Sequence, residues 1–475
     1  MTPSARIQAS IEIIDRLSEG RMPLDTIVGD YMRGRRYIGS KDRAAVADRV
    51  YEIVRHKARL EWWLTKNKME VTVRNFVLAS VCLLDERKFK EVSKVFDGSN
   101  YGAEKLSDDE IAFVNKVNGN HVDHPDMPDH VALECPEDQI DQLKKLFGKD
   151  FKKELQAMMT SAPLDIRTNI GMISRENAQA SLAKDEVEVT ITPYSPWGMR
   201  LTKKTFLSKT KAFSKGFIDI QDEGSQMIAL AVNAKPGMQV IDYCAGGGGK
   251  TLAIACTMNK KGRIVAMDLD ERRLNKSKPR FKRAYIHDSI EIRPLSDVKN
   301  RKWIRRQKGT FDRVILDVPC SGSGTWRRNP DMRWFTYGPT VEELLPVQAE
   351  IMDKVAHTLK VGGRLIYATC SLFEEENENQ VEAFLARNSD YKLLPIAQAW
   401  PDDLECPCDG DYMRLSPYKH NTDGFFTAVL ERVTYTEKES GQGENKKVDK
   451  PEIKSEEKPE DQSENKPVEK AEDAA

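Results

Sequence analysis

From about Phe213 to Val433, short apolar, β-branched runs alternate with helical stretches, and no other feature of the chain narrows its fold so far. The runs Met238–Tyr243, Gly262–Asp268, Phe311–Val318 and Gly363–Ala368 are strand candidates rich in Val, Ile and Leu. Ile290–Leu295 is a weaker candidate, and Gly424–Val433 a late one. This alternation predicts an α/β fold built on a doubly wound sheet. Ligands of such sheets sit beyond the carboxyl ends of the strands. The residues that follow each run are therefore where function is to be sought.

The rest of the chain has a different texture. Residues 4 to about 118 read as helical: Ile7, Ile11, Ile14 and Leu17 share one face, and Val46, Val50, Ile53 and Val54 repeat the 3.6-residue period. His121 to Pro136, with three prolines, marks a boundary. Beyond it a helix is expected over Asp138–Met159, a strand at Leu164–Asn169, a helix over Ser174–Ala183, and strands near Val187–Ile191 and Met199–Leu201. This reads as a small α+β module. The expected domains are 1–125 (all-α), 136–212 (α+β), 213–433 (doubly wound) and 434–475, a Lys/Glu/Pro-rich tail too poor in apolar residues to fold.

Composition supplies exclusions. No apolar stretch approaches the ~20 residues that span a bilayer, and Glu12, Asp15 and Glu19 interrupt any leader-like amino terminus. Eight cysteines over 475 residues make no disulfide framework, which suits a reducing cytoplasm. Cys406-Pro407-Cys408 has no second ligand pair, and His121, His124, Asp126 and His130 lie among prolines in a linker, so no metal site is expected. The net charge of −1 conceals a tail of −5, from Glu437 onward, against a body of about +4. Positive charge clusters at Arg33, Arg35, Arg36, Lys41 and Arg43, along Lys276–Arg283, and along Lys299–Lys308 around Trp303. Basic clusters with an interleaved aromatic suit nucleic acid, although a solvated helix face explains any one of them equally well.

Two strand ends carry a ligand signature. After Asp242-Tyr243 comes Cys244-Ala245-Gly246-Gly247-Gly248-Gly249-Lys250-Thr251, where successive glycines let a ligand approach the backbone. Asp268 closes the next run, placed as an acceptor for ribose hydroxyls. A phosphate-binding loop would need glycine at position 244, where Cys244 stands, and a dinucleotide fingerprint would need one at Thr251 or Leu252. A ribose-bearing cofactor without a pyrophosphate cradle favours S-adenosylmethionine. The two further strand ends carry thiols: Cys320 in Asp317-Val318-Pro319-Cys320, and Cys370 in Tyr367-Ala368-Thr369-Cys370-Ser371. Either alone is more readily a buried strand-end cysteine. Together, on one cleft, they suggest nucleophilic chemistry at an electron-poor carbon.

These segments, in this order, resemble the RNA cytosine-C5 methyltransferases, whose branches include the bacterial ribosomal RNA methyltransferase B and the Sun-domain enzymes. The resemblance is carried by Phe213–Gln226, Asp242–Thr251, Asp268, Asp317–Gly324, Tyr367–Ser371 with Glu376-Asn377, and Asp423–Phe426. The segment Arg35–Arg43 makes the helical part similar to a NusB-like RNA-binding domain. The resemblance implies a class I, Rossmann-like methyltransferase sheet that uses S-adenosylmethionine on RNA. Ribosomal RNA is favoured, transfer RNA stands second, and a monomer is expected. It further implies Cys370 as the nucleophile at cytosine C6, Cys320 as an aid to release, Asp317 on the N3 and amino edge of the base, and Lys250 as a contact to the base. Cofactor contacts would come from Cys244, Ala245, Gly246, Gly247, Gly248, Gly249, Lys250, Asp268 and Asp317. Gly246-Gly247 stands where the family usually has Ala-Pro. For the adenine side, Asp288 and Asp297 are both open. The alternative reading is a catalytically inert RNA-binding protein of the same fold, which would have no physical need for Cys320, Cys370, Asp317 and Asp268 together.

Overall fold

The computed structural model of the chain describes residues 1–203 and 205–434, so the tail expected from 434 onward lies outside the described residues from 435. The amino-terminal part is a helical bundle whose longer members are Pro3–Ser18, Leu24–Gly34, Ser40–Arg55, Lys57–Lys66, Val73–Leu83 and Asp108–Val117. Local sequence explains the helix starts. Thr2, Thr72 and Ser107 accept backbone N–H groups at their helix starts, and Ser107 forms a reciprocal capping box with Glu110, each cap contributing about 1 kcal/mol. The periodic apolar residues meet in one core in which Ile7, Leu17, Val46, Val50, Ile53 and Leu64 are buried. Trp63 is buried there too, while Trp62 packs beside His124. The proline-rich stretch expected as a linker is partly core: Val122, Met127 and Val131 join the same cluster.

The helix expected over Asp138–Met159 is two, Ile140–Phe147 and Phe151–Met158, because Gly148 between them takes a positive φ of 51°. Four short strands follow: β1 (Asp165–Thr168), β2 (Val189–Ile191), β3 (Gly198–Leu201) and β4 (Ile218–Ile220). They form an antiparallel sheet in the order β2-β3-β1-β4, with the helix Arg175–Lys184 between β1 and β2. This βαββαβ-like arrangement carries the small sheet past the expected boundary at 212. Ile218–Ile220 pairs with β1 through Ile166↔Ile220, so its alternation belongs to the module and not to the large sheet.

The large sheet comprises β5 (Gln239–Asp242), β6 (Arg263–Asp268), β7 (Ile290–Pro294), β8 (Phe311–Asp317), β9 (Leu359–Thr369), β10 (Tyr391–Leu394), β11 (Met413–Leu415) and β12 (Phe425–Arg432). Its order is β7-β6-β5-β8-β9-β12-β10, with β11 paired to β12. The strands from β7 to β9 run parallel and β12 enters antiparallel. The weak candidate Ile290–Leu295 is thus an edge strand, whose single flanking partner explains its mixed composition. Strand β9 starts earlier than expected, at Leu359, ahead of Gly362-Gly363. Among the described residues, no helix is long and apolar enough to cross a membrane.

A strap between β8 and the helix Val341–Ala356 joins the large sheet to the helical bundle. Asp331 accepts the Leu24 N–H at 2.9 Å, Trp334 Nε1 donates to the Val54 carbonyl at 3.2 Å, and Arg55 donates to the Arg327 carbonyl at 3.0 Å. Arg327 is buried and holds Asn421, and Arg328 bridges Asp222 (3.0 Å) and Asp423 (2.8 Å). Asp222 also caps the helix Glu223–Ala231.

Candidate active site

The chain leaves β5 toward β6 on one side and returns as β8 on the other, so the β5/β8 boundary is the sheet's topological switch point. A cleft of about 1420 Å³ opens there. It is lined by Cys244, Ala245, Gly246, Gly247, Gly249, Lys250, Asp268, Asp317, Cys320 and Cys370. Residues more than 120 positions apart are thereby brought onto one wall. Gly248 differs: it lies at φ 76°, and a Cβ there would meet the Phe281 ring at 2.6 Å. It serves the packing of the loop against the helix Ser277–Arg283 rather than the cleft wall. Asp288 is exposed, Asp297 caps the helix Val298–Arg305 through Lys299 N–H, and neither lines the cleft.

On the glycine-loop side the geometry is short-range. Asp242 ends β5 and is buried; its Oδ2 accepts Thr251 Oγ1–H at 2.6 Å. Its Oδ1 has no hydrogen-bond partner among the described residues. Burial pushes this carboxyl up to about 7. Asp268 accepts Gly246 N–H at 2.7 Å and Asp270 N–H at 2.8 Å, which ties the loop to the end of β6. Because Gly246 and Gly247 carry no side chains, Arg273 and Arg280 lie over the loop. A Cβ at either glycine would come within 3.0 Å and 3.2 Å of their guanidinium nitrogens. An orphaned buried carboxylate oxygen, a half-engaged Asp268 with lone pairs to spare and a bare backbone fit a small polar cofactor with ribose hydroxyls and a cationic group.

Across the switch point, Lys250 Nζ lies 2.6 Å from Asp317 Oδ2. Burial works against the ammonium, but the charge and hydrogen bond of Asp317 outweigh it and hold Lys250 above its ordinary value. The sulfurs of Cys320 and Cys370 are 3.4 Å apart. The contact with Cys370 and then burial raise the Cys320 thiol well above the usual range, and the charge of Glu376 adds to this. Gly324 N–H donates to the Cys370 carbonyl at 2.9 Å, and Gly424 N–H donates to the Gly324 carbonyl at 2.8 Å. A Cβ at Gly324 would sit 2.2 Å from the Gly424 oxygen, so this glycine lets β12 close on the Cys370 loop.

Sequence reasoning left several neighbours without a role. Arg273, Arg280 and Arg301 line the cleft, as do Phe335 and Tyr337 of the strap. The basic runs that contain Arg280 and Arg301 pointed to RNA, yet Arg280 also bonds Asp219 and the Gly247 carbonyl. Trp303, expected as an interleaved aromatic, lies instead under the guanidinium groups of Arg293 (4.2 Å) and Arg263 (5.3 Å). Among the described residues no cluster of His, Cys, Asp and Glu could hold a metal ion.

Residues 229–431 match the family described as 16S rRNA methyltransferase RsmB/F, and residues 135–207 match the RsmF/B-like ferredoxin-like domain. The second match spans strands β1, β2 and β3 and stops short of β4. The chain is 33% identical over 299 residues to a probable ribosomal RNA small subunit methyltransferase B of Synechocystis sp.. It is 31% identical over 296 residues to the ribosomal RNA small subunit methyltransferase B of Photorhabdus laumondii. Each alignment covers 62% of this chain and 66% of the relative, just under two thirds of the relative's length. Among solved structures, PH0851 superposes with a TM-score of 0.70 at 25% identity, covering 91% of this chain and 99% of that one. A methyltransferase homologue from Pyrococcus horikoshii gives a TM-score of 0.53 at 28% identity over 64% of this chain and 98% of that one.

Proposed function

The chain belongs to the 16S rRNA methyltransferase RsmB/F family, and from that premise we propose that it methylates cytosine C5 in RNA, with ribosomal RNA as substrate and S-adenosylmethionine as cofactor. The observation that carries this reading is the pair of sulfurs 3.4 Å apart, in the same cleft as the glycine loop and the Lys250–Asp317 ion pair. Asp242, Asp268 and the backbone of Cys244–Gly249 would hold the cofactor, which supplies an electrophilic methyl group.

Cytosine C5 is a poor nucleophile, and two thiols answer that difficulty. The Cys370 thiolate adds to C6, and the displaced electron pair makes C5 enamine-like. Asp317 hydrogen-bonds the N3 and amino edge of the base and stabilises the charge that develops there. Lys250 orients Asp317 and the base through its ammonium group. Once C5 carries the new methyl group, loss of its proton returns the electron pair to the C5–C6 bond and expels the Cys370 thiolate. Cys320, beside that sulfur, assists the release. A catalytic role also explains why the chain keeps two sulfurs this close on a cleft wall.

The reading is tested by incubating the protein with S-adenosylmethionine and ribosomal RNA lacking the modification, then digesting the RNA to nucleosides. 5-Methylcytidine is the expected product, absent when S-adenosylmethionine is omitted. Methyl groups appearing only on another base or on ribose would overturn it.

A further inference from the structure

We propose that Glu376 and Asn377 are positioning residues, one for each cysteine loop, and that together they set the separation of the two thiols. The inference rests on the two-thiol reading above and gives a task to a dipeptide that has none there. Glu376 is fully buried, yet it makes no ion pair among the described residues. Its Oε1 accepts Ser321 N–H at 2.9 Å and Gln348 Nε2–H at 3.0 Å, and its Oε2 accepts Ser321 Oγ–H at 2.5 Å. Ser321 follows Cys320 directly, so the carboxylate grips the backbone that carries one sulfur. Asn377, also fully buried, works on the other loop. Its Oδ1 accepts Thr369 Oγ1–H at 2.5 Å and its Nδ2 donates to the Ser371 carbonyl at 3.0 Å. Those are the residues on either side of Cys370.

Burying a carboxylate without a cation is expensive. A merely structural plug at this point would be better served by Leu or Met. A carboxylate is suited to two tasks at once: it accepts three donors from fixed directions, and its charge disfavours ionisation of the neighbouring Cys320. The groups that face Cys320 are the Cys370 sulfur, the Glu376 carboxylate and the Gly322 N–H. Tyr367 Oη–H, from β9, donates to the Glu376 carbonyl at 2.6 Å and fixes the dipeptide itself. Ser321 and Ser371 hydroxyls, 3.1 Å apart, link the two loops directly.

The test pairs catalysis with a measurement that needs no methyl transfer. Phenylarsonous acid condenses with two adjacent thiols, releasing water, and mass spectrometry identifies the bridged peptides. In the full-length protein, Glu376→Ala and Asn377→Ala are each expected to weaken the Cys320–Cys370 bridge at least tenfold. They should also lower kcat per folded molecule about 100-fold, the loss expected for a misplacement near 1 Å, with KM for RNA little changed and a melting temperature several degrees lower. Glu376→Gln, which keeps an acceptor for Ser321 N–H, should restore most of the bridging, and Cys320 alkylation should begin at lower pH in it than in the parent. Wild-type bridging and kcat in Glu376→Ala would overturn the proposal, as would losses that follow the unfolded fraction alone. Intact bridging effects in a protein that methylates no cytosine would instead count against the methyltransferase reading and leave the clamp supported.

Discussion

On the glycine-loop side of the cleft, Thr251 reaches back nine residues to Asp242, and Gly246 donates to the end of the adjacent strand. On the thiol side, Cys320 and Cys370 come from strand ends 50 residues apart, and a third segment at 376–377 holds both. The first half is a backbone feature in which glycines make room and one turn of helix supplies the cap. The second is a network of buried hydroxyl, amide and carboxylate groups that must all be satisfied at once. A half built from backbone tolerates side-chain changes until a Cβ collides; a half built from buried polar groups fails when one partner goes.

The sharpest break of this contrast is at the bridge between the halves. Lys250→Ala leaves Asp317 without its cation, and kcat should fall by about 1000-fold while cofactor affinity, measured by calorimetry, changes little. Equal losses in both would make Lys250 part of the cofactor half instead.

Next in size is Gly248→Ala. The new Cβ would press on Phe281 at 2.6 Å and hold a positive φ, costing about 1–3 kcal/mol. The expected outcome is a melting temperature several degrees lower and weaker binding of S-adenosylmethionine, with kcat at saturation preserved. A kcat defect at saturation would show that the loop shapes the chemistry as well.

Asp242 gives a pH dependence. Because its carboxyl is pushed up to about 7 by burial, the stability it contributes is present at low pH and lost as pH rises toward 7. Asp242→Asn removes that loss, so the fall in stability from about pH 5 to about pH 8 should shrink by a few kcal/mol at most. Denaturant titrations at the two pH values would read it, and an unchanged fall would put the strain elsewhere, for example at Asp222, which burial and Asp423 also push up to about 7. The smallest effect is expected for Asp297→Ala, which removes a helix cap. It should cost about 1 kcal/mol and leave cofactor affinity intact, whereas a loss of affinity would return Asp297 to the adenine side.

How far the molecule could be read from its residues follows the same division. The strands β5, β6, β8 and β9 were legible because strands buried on both faces are written as continuous apolar runs, and the glycine loop because a bare backbone leaves a run of glycines. Strands β10 and β11, four and three residues long, have too few positions to show a period. Strand β4 was not among the expected strands, and nothing in Ile218–Ile220 tells which of two sheets it will join; its pairing with β1 is a tertiary choice. Gly148 breaks a helix through a φ value that composition does not reveal. Glu376 and Asn377 could be noticed as part of a motif, but their bonds to Ser321 and Thr369 exist only once two strand ends are side by side. Arg327 and Arg328 are held by partners about 100 residues away in sequence, Asn421 for the buried Arg327 and Asp222 and Asp423 for the partly exposed Arg328.

The central claim is that the two thiols, though 3.4 Å apart, do different work. It is tested most directly by mixing Cys320→Ala and Cys370→Ala proteins, separately, with S-adenosylmethionine and unmodified ribosomal RNA, then running each mixture on a denaturing gel with labelled RNA. The account predicts a denaturation-resistant protein–RNA adduct in Cys320→Ala, and neither adduct nor 5-methylcytidine in Cys370→Ala. Full methylation by Cys370→Ala, or an adduct in Cys370→Ala and none in Cys320→Ala, would contradict it.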